Sequence, residues 1–146
     1  MRNFLANHKL AVVEAAGAAA QTALDSNILD MTDFQTVTFL ALLGDVSSGS
    51  VLTLTLQHGD ESNGSDMEST TIVANFTAGA ADADSKLLAV EGHNMTKRYA
   101  RARLTRTTAD AVVGGIVSIQ SNPKTAPVSQ DASVIAHDFG APVLSA

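Results

Sequence analysis

Among its 146 residues the chain has no cysteine, no tryptophan and a single tyrosine. Without cysteine there can be no disulfide framework, no thiolate zinc site and no cysteine nucleophile, so stability must come from packing or from partners. Aromatic residues make up 4% of the chain and the apolar residues are mainly Ala, Val and Leu, which predicts a core of small aliphatic side chains. Long apolar runs are missing as well. None approaches the roughly 20 residues needed to cross a bilayer, and the opening MRNFLANHKLAVVEAAGAAA is broken by Asn7, His8, Lys9 and Glu14. A cleaved leader at this end is the weaker expectation, and no membrane partner is expected. Basic charge is scarce: nine Lys and Arg stand against fifteen Asp and Glu, for a net charge of −6. Polyanions repel such a chain, so no nucleic-acid partner is expected.

What is present suffices for one domain. A chain of this length buries about 68 to 70% of its unfolded surface, enough for a core without staples. The Ala-rich segment from Leu10 to Leu24 has Gly17 in its middle and no 3.6-residue apolar stripe, so it reads as an extended arm or a short helix. After Asp30 the pattern is that of strands. TVTFLALLG at 36–44 is apolar almost throughout and suits the middle of a sheet. VLTLTLQHG then sets Leu52, Leu54 and Leu56 on one side and Thr53, Thr55 and Gln57 on the other, as a half-buried strand requires. Further strands are expected over 70–79, 85–92, 97–106 and 112–120, with Gly114 and Gly115 marking a bulge or a close backbone approach. The acidic stretch 59–69 reads as an exposed loop, and the last residues, which hold all three prolines, as an extended tail.

Six strand segments about a dozen residues apart, with no amphipathic helices between them, predict an all-β chain: an antiparallel β-sandwich or jelly-roll-like single domain. The expected division is an N-terminal arm over 1–30, the sandwich over 31–122 and an extended C-terminal tail over 123–146.

No motif carries chemistry. Asp60, Glu61, Asp66 and Glu68 supply hard oxygen atoms, but their spacing does not fit a calcium loop, and a solvated loop is the stronger reading. His8, His58, His93 and His137 lack metal-ligand spacing. Ser65 lies in the acidic loop and not on a strand-to-helix elbow, and Gly114-Gly115 lacks the following helix that would cradle phosphate. No catalytic residue, metal or cofactor is expected, and the chain is not expected to be an enzyme.

The sharpest feature is charge segregation. From Asp45 to Glu91 eight acidic residues face Lys86 alone, whereas residues 97–106 hold Lys97, Arg98, Arg101, Arg103 and Arg106 with no acid. The alternation of this segment puts Ala100, Ala102 and Leu104 on one face and Tyr99, Arg101, Arg103 and Thr105 on the other. Such a face can dock against carboxylates of another protein, or it can pair with carboxylates of its own chain.

The order TALDSNILDMTDFQTVTFLALLGDVSSGSVLTLTLQHGDESNGSD, TKRYARARLTR and GGIVSIQSNPKTAPV resembles a family of small tailed-phage structural proteins encoded near the major capsid protein. The resemblance spans residues 22–128, and residues before it have no counterpart. It implies a β-sandwich of the virion, on the outer capsid surface as decoration (cement) or at the base of a head spike. The expected function is therefore a decoration protein that binds the assembled head and stabilises it. Expected partners are the major capsid protein and further copies of the chain, in a homo-oligomer for which a trimer would suit a threefold junction. Expected contact residues are Arg98, Tyr99, Arg101, Arg103, Arg106, Pro123 and Pro127. A low-copy spike or fibre base is the first alternative. A carbohydrate-binding sandwich is the second, disfavoured by the shortage of aromatics for sugar stacking.

Overall fold

Period-two alternation along most of the chain becomes two packed layers in the computed structural model, which describes residues 3–142. A single helical turn, α1 (Phe4–Asn7), precedes three short strands: β1 (Lys9–Glu14), β2 (Leu24–Asp25) and β3 (Leu29–Asp30). Six further strands follow: β4 (Phe34–Val46), β5 (Val51–Gly59), β6 (Glu68–Thr77), β7 (Leu87–Gly92), β8 (Tyr99–Thr107) and β9 (Ala111–Pro123). The first sheet has the order β1-β9-β4-β7, and the second β2-β8-β5-β6 with β3 also on β8. Every pairing is antiparallel. The fold is the all-β antiparallel sandwich that the strand pattern predicts.

The core lies between the sheets and uses alternate residues of each strand. Val37, Phe39, Ala41 and Leu43 come from β4, Leu52, Leu54 and Leu56 from β5, Ala100, Ala102 and Leu104 from β8, and Val113 and Ile116 from β9. Phe39 is the one aromatic ring among the buried side chains of the described residues, in keeping with an aliphatic core. Gly115 sits at φ +139°, where Leu42 pairs with Gly115 and the next residue, Leu43, with Val113. That extra residue is the expected bulge, and a Cβ on Gly115 would lie 3.2 Å from the Glu14 carbonyl oxygen.

The N-terminal segment departs from the expected arm. Lys9–Glu14 is an integral edge strand on β9, with Ala11 and Val13 in the core. Residues 24–30 run along β8, and the Ser26 and Met31 amides donate to Ala102 and Arg98 carbonyls at 2.9 and 2.7 Å. The free edges of β8 and β9 impose extended structure on a segment whose own pattern is silent. The tail beyond Pro123 returns to its own sheet. Val128 donates to the Ala6 carbonyl, the Gln130 Oε1 accepts from the Leu10 amide at 2.8 Å and the Ser133 Oγ from the Val12 amide at 2.9 Å. These bonds cap the outer edge of β1, which would otherwise offer bare amides to another strand. Residues 1–2 of the expected arm and 143–146 of the expected tail lie outside the described residues.

Candidate protein-interaction site

The alternation along β8 places Tyr99, Arg101, Arg103 and Thr105 on the outer face of the second sheet, as the sequence predicts. In register beside them on β5 stand Gly59, Gln57, Thr55 and Thr53, and beyond these on β6 come Ser69, Val73 and Asn75. The result is a face rich in hydroxyls with guanidinium groups along one side.

These guanidinium groups are held by carboxylates of the same chain. Arg98 reaches Asp30 through two hydrogen bonds, 3.0 and 3.3 Å long, and its guanidinium carbon lies 5.1 Å from the centre of the Tyr99 ring. Arg103 donates to Asp25 at 3.3 Å. Arg101 donates to the Gln57 Oε1 at 2.7 Å and stands 3.7 Å from the same Asp25 carboxylate. The hydrogen bond from Arg98 is the main reason that the Asp30 carboxyl is pulled down from 3.8 to about 2, with the Thr32 hydroxyl and amide assisting. The neutralising acids come from residues 25 and 30, not from the long acidic stretch. Each arginine keeps N–H donors beyond those used, so the face remains able to bind carboxylates while being fixed in shape.

Arg106 does not belong to this face. It is 3% exposed and donates to the Thr22 carbonyl and hydroxyl, to the Ala18 carbonyl and to the Ala111 carbonyl at 2.8 to 3.3 Å. Its position in the alternation is that of Ala100, Ala102 and Leu104, which is why it points inward. Its work is to clamp residues 18–22 against the end of the sandwich, so its expected contact with a partner is withdrawn. Pro123 and Pro127 sit elsewhere, at the end of β9 in the first sheet, where Pro123 pairs with Phe34. With Lys9, Asp33, Thr125 and Val128 they line a shallow depression of about 280 Å³. The expected contact residues are thus divided between the two sheets.

The acidic loop is folded by its own side chains. Asp66 accepts from the Asp60 and Glu61 amides at 2.8 and 3.0 Å, and Lys97 donates to Asp60 at 2.8 Å. Its backbone bonds hold Asp66 below the usual carboxylate range, and the Lys97 ammonium does the same for Asp60. Among the described residues no three His, Asp or Glu side chains are placed to hold a metal ion.

One surface was missed in the residue pattern. On the outer face of the first sheet, Leu10 lies beside Ile119, and Val12, Val117, Leu40 and Ala89 form the next row. A third row pairs Leu42 with Leu87. Val12, Leu42 and Leu87 are 46, 48 and 59% exposed, and the only charges in these rows are Glu14 and Glu91 at opposite margins. The signal was available in TVTFLALLG, which is apolar at both parities and so has no water-facing side.

No family model matches the chain, and no curated protein matches it. Among solved structures, the whole chain is similar to 46% of the PBSX exported protein XepA, at 18% identity with a TM-score of 0.50. PirA is similar over 80% of this chain and 85% of its own, at 11% identity and a TM-score of 0.38. The Eiger TNF of S. frugiperda is similar over 89% of this chain and 99% of its own, at 9% identity and a TM-score of 0.41. The chain spans less than half the length of XepA, and at this identity the likeness to XepA is one of fold: a two-sheet antiparallel sandwich.

Proposed function

We propose that this chain is a structural protein of a tailed-phage virion, a decoration protein that binds the outer surface of the assembled head and stabilises it. The reading is supported by the resemblance of residues 22–128 to small tailed-phage structural proteins, together with a fold shared with the PBSX exported protein XepA. The chain acts by binding and not by chemistry. The hydroxyl-rich face of the second sheet, with Arg98, Tyr99, Arg101 and Arg103 fixed along it, is the surface offered to the capsid protein. A shape that is set before contact loses little side-chain freedom on docking. Many copies, each binding the assembled shell better than free subunits, stabilise the assembled state by mass action.

The test is the copy number of the chain in purified particles, by quantitative mass spectrometry against the major capsid protein. A ratio near one per capsid subunit is the expected result. A few copies per hundred would mean a spike base or connector instead, and absence from particles would overturn the virion reading.

A further inference from the structure

We infer that the apolar outer face of the first sheet is an interface between copies of this chain, extended in each copy by the tail segment Val134–Pro142. The face is built from β1, β9, β4 and β7, which are thus apolar on both sides where one side suffices for the core. Four strands about 4.8 Å apart and three rows about 6.7 Å apart give the face roughly 400 Å², with Thr38, Glu91 and Glu14 at its margins included, an area in the range of the largest and often functional patches of single chains.

The area decides what must be added. Two copies meeting over this face alone would bury about 800 Å², whereas a stable interface takes about 1,200 Å² or more. The tail supplies the difference. Ser133 is bonded to the Val12 amide at the margin of the face. Two residues later Ile135 is 96% exposed, and Phe139 is 47% exposed. Together they offer roughly 200 Å² more per copy, which brings a pair to the threshold.

The composition selects the occupant. The centre of the face carries no charge, as in permanent homomeric interfaces, while Glu14 and Glu91 stand at the rim where water screens them. Another copy is the one partner present from the moment the chain folds. Each copy also brings both the face and the tail, so a closed symmetric assembly satisfies both at once. The hydroxyl-rich face of the second sheet is left outside this contact. The inference does not rest on the capsid reading, because it is tested on the isolated chain.

The experiment is light scattering and sedimentation of the full chain from about 1 to 100 µM. Beside the wild type stand Val12→Thr with Leu42→Thr, Ile135→Ser with Phe139→Ser, and Val73→Thr on the second sheet. A dimer or other small closed oligomer is expected for the wild type. Association should weaken at least tenfold in the face variant, which keeps strand-forming residues, and in the tail variant, which touches no core residue. Val73→Thr should leave it unchanged. A monomeric wild type throughout the range overturns the inference. So does unchanged association in face and tail variants that retain the wild-type circular dichroism, or loss of association in Val73→Thr.

Discussion

Arg106 carries a full charge in a place where charges are expensive, with no carboxylate paired to it among the described residues. Carbonyl and hydroxyl oxygens of Thr22, Ala18 and Ala111 replace its water. Arg106→Met would keep the stem's packing but take the donors from the Thr22 and Ala18 carbonyls, while the Ala111 carbonyl keeps the Ala20 amide, so a loss of about 2 to 4 kcal/mol is expected in urea unfolding. The opposite case sits at Ser118, whose buried hydroxyl has no hydrogen-bond partner among the described residues where its strand pairs with Phe39 and Ala11. Ser118→Ala removes an unsatisfied group and is expected to stabilise by about 1 kcal/mol, read as a higher Tm. Asp30 gives the pH dependence its sign. Its folded carboxyl titrates at about 2 against 3.8 when free, so its contribution is complete above about pH 4 and is lost as pH falls toward 2. Because the Arg98 pair is half exposed, the contribution is a fraction of a kcal/mol. Asp30→Asn should flatten the acid limb of a stability-against-pH curve and leave neutral stability little changed; an unaltered limb would refute the assignment.

Among the elements, β4 to β9 were legible from strand composition, helped by period two in β5 and β8, and β1 to β3 were not, for a physical reason. β2 and β3 are two residues long, and β1 lies in an Ala-rich stretch that favours no one state. They are strands because β8 and β9 present open edges, which is a tertiary fact. The same alternation that exposed Arg101 and Arg103 also held the correct place of Arg106, on the Ala100 and Leu104 side. The bulge in β9 was legible as Gly114-Gly115, and its role is steric. With φ at +139° and the Glu14 carbonyl 3.2 Å from any added Cβ, Gly115→Val is expected to cost about 2 to 3 kcal/mol, measured by chemical denaturation. The tail over β1 is held chiefly by Gln130, which also donates to the Leu5 and His8 carbonyls at 2.9 and 2.7 Å. Gln130→Ala should speed amide exchange at Leu10 and Val12 by tenfold or more while the amides of β4 stay protected.

At the scale of the whole molecule, the two sheets differ in what they turn outward. The first shows aliphatic rows, and the second shows threonines bordered by paired arginines. Net charge would not drive docking by the second face, because Asp25 and Asp30 neutralise Arg98 and Arg103 in place. What the face offers is a fixed pattern of donors, so affinity for a capsid carboxylate should depend on guanidinium geometry and less on long-range attraction. Arg98→Lys with Arg103→Lys keeps both charges and removes the planar fork. Exposed pairs contribute little to folding, so this variant should unfold within about 1 kcal/mol of wild type. If the arginine side of this face meets the capsid, the variant should bind purified particles at least tenfold more weakly in a co-sedimentation titration at fixed salt. Equal binding, from a variant as stable as the wild type, would move the capsid contact away from this side of the sandwich.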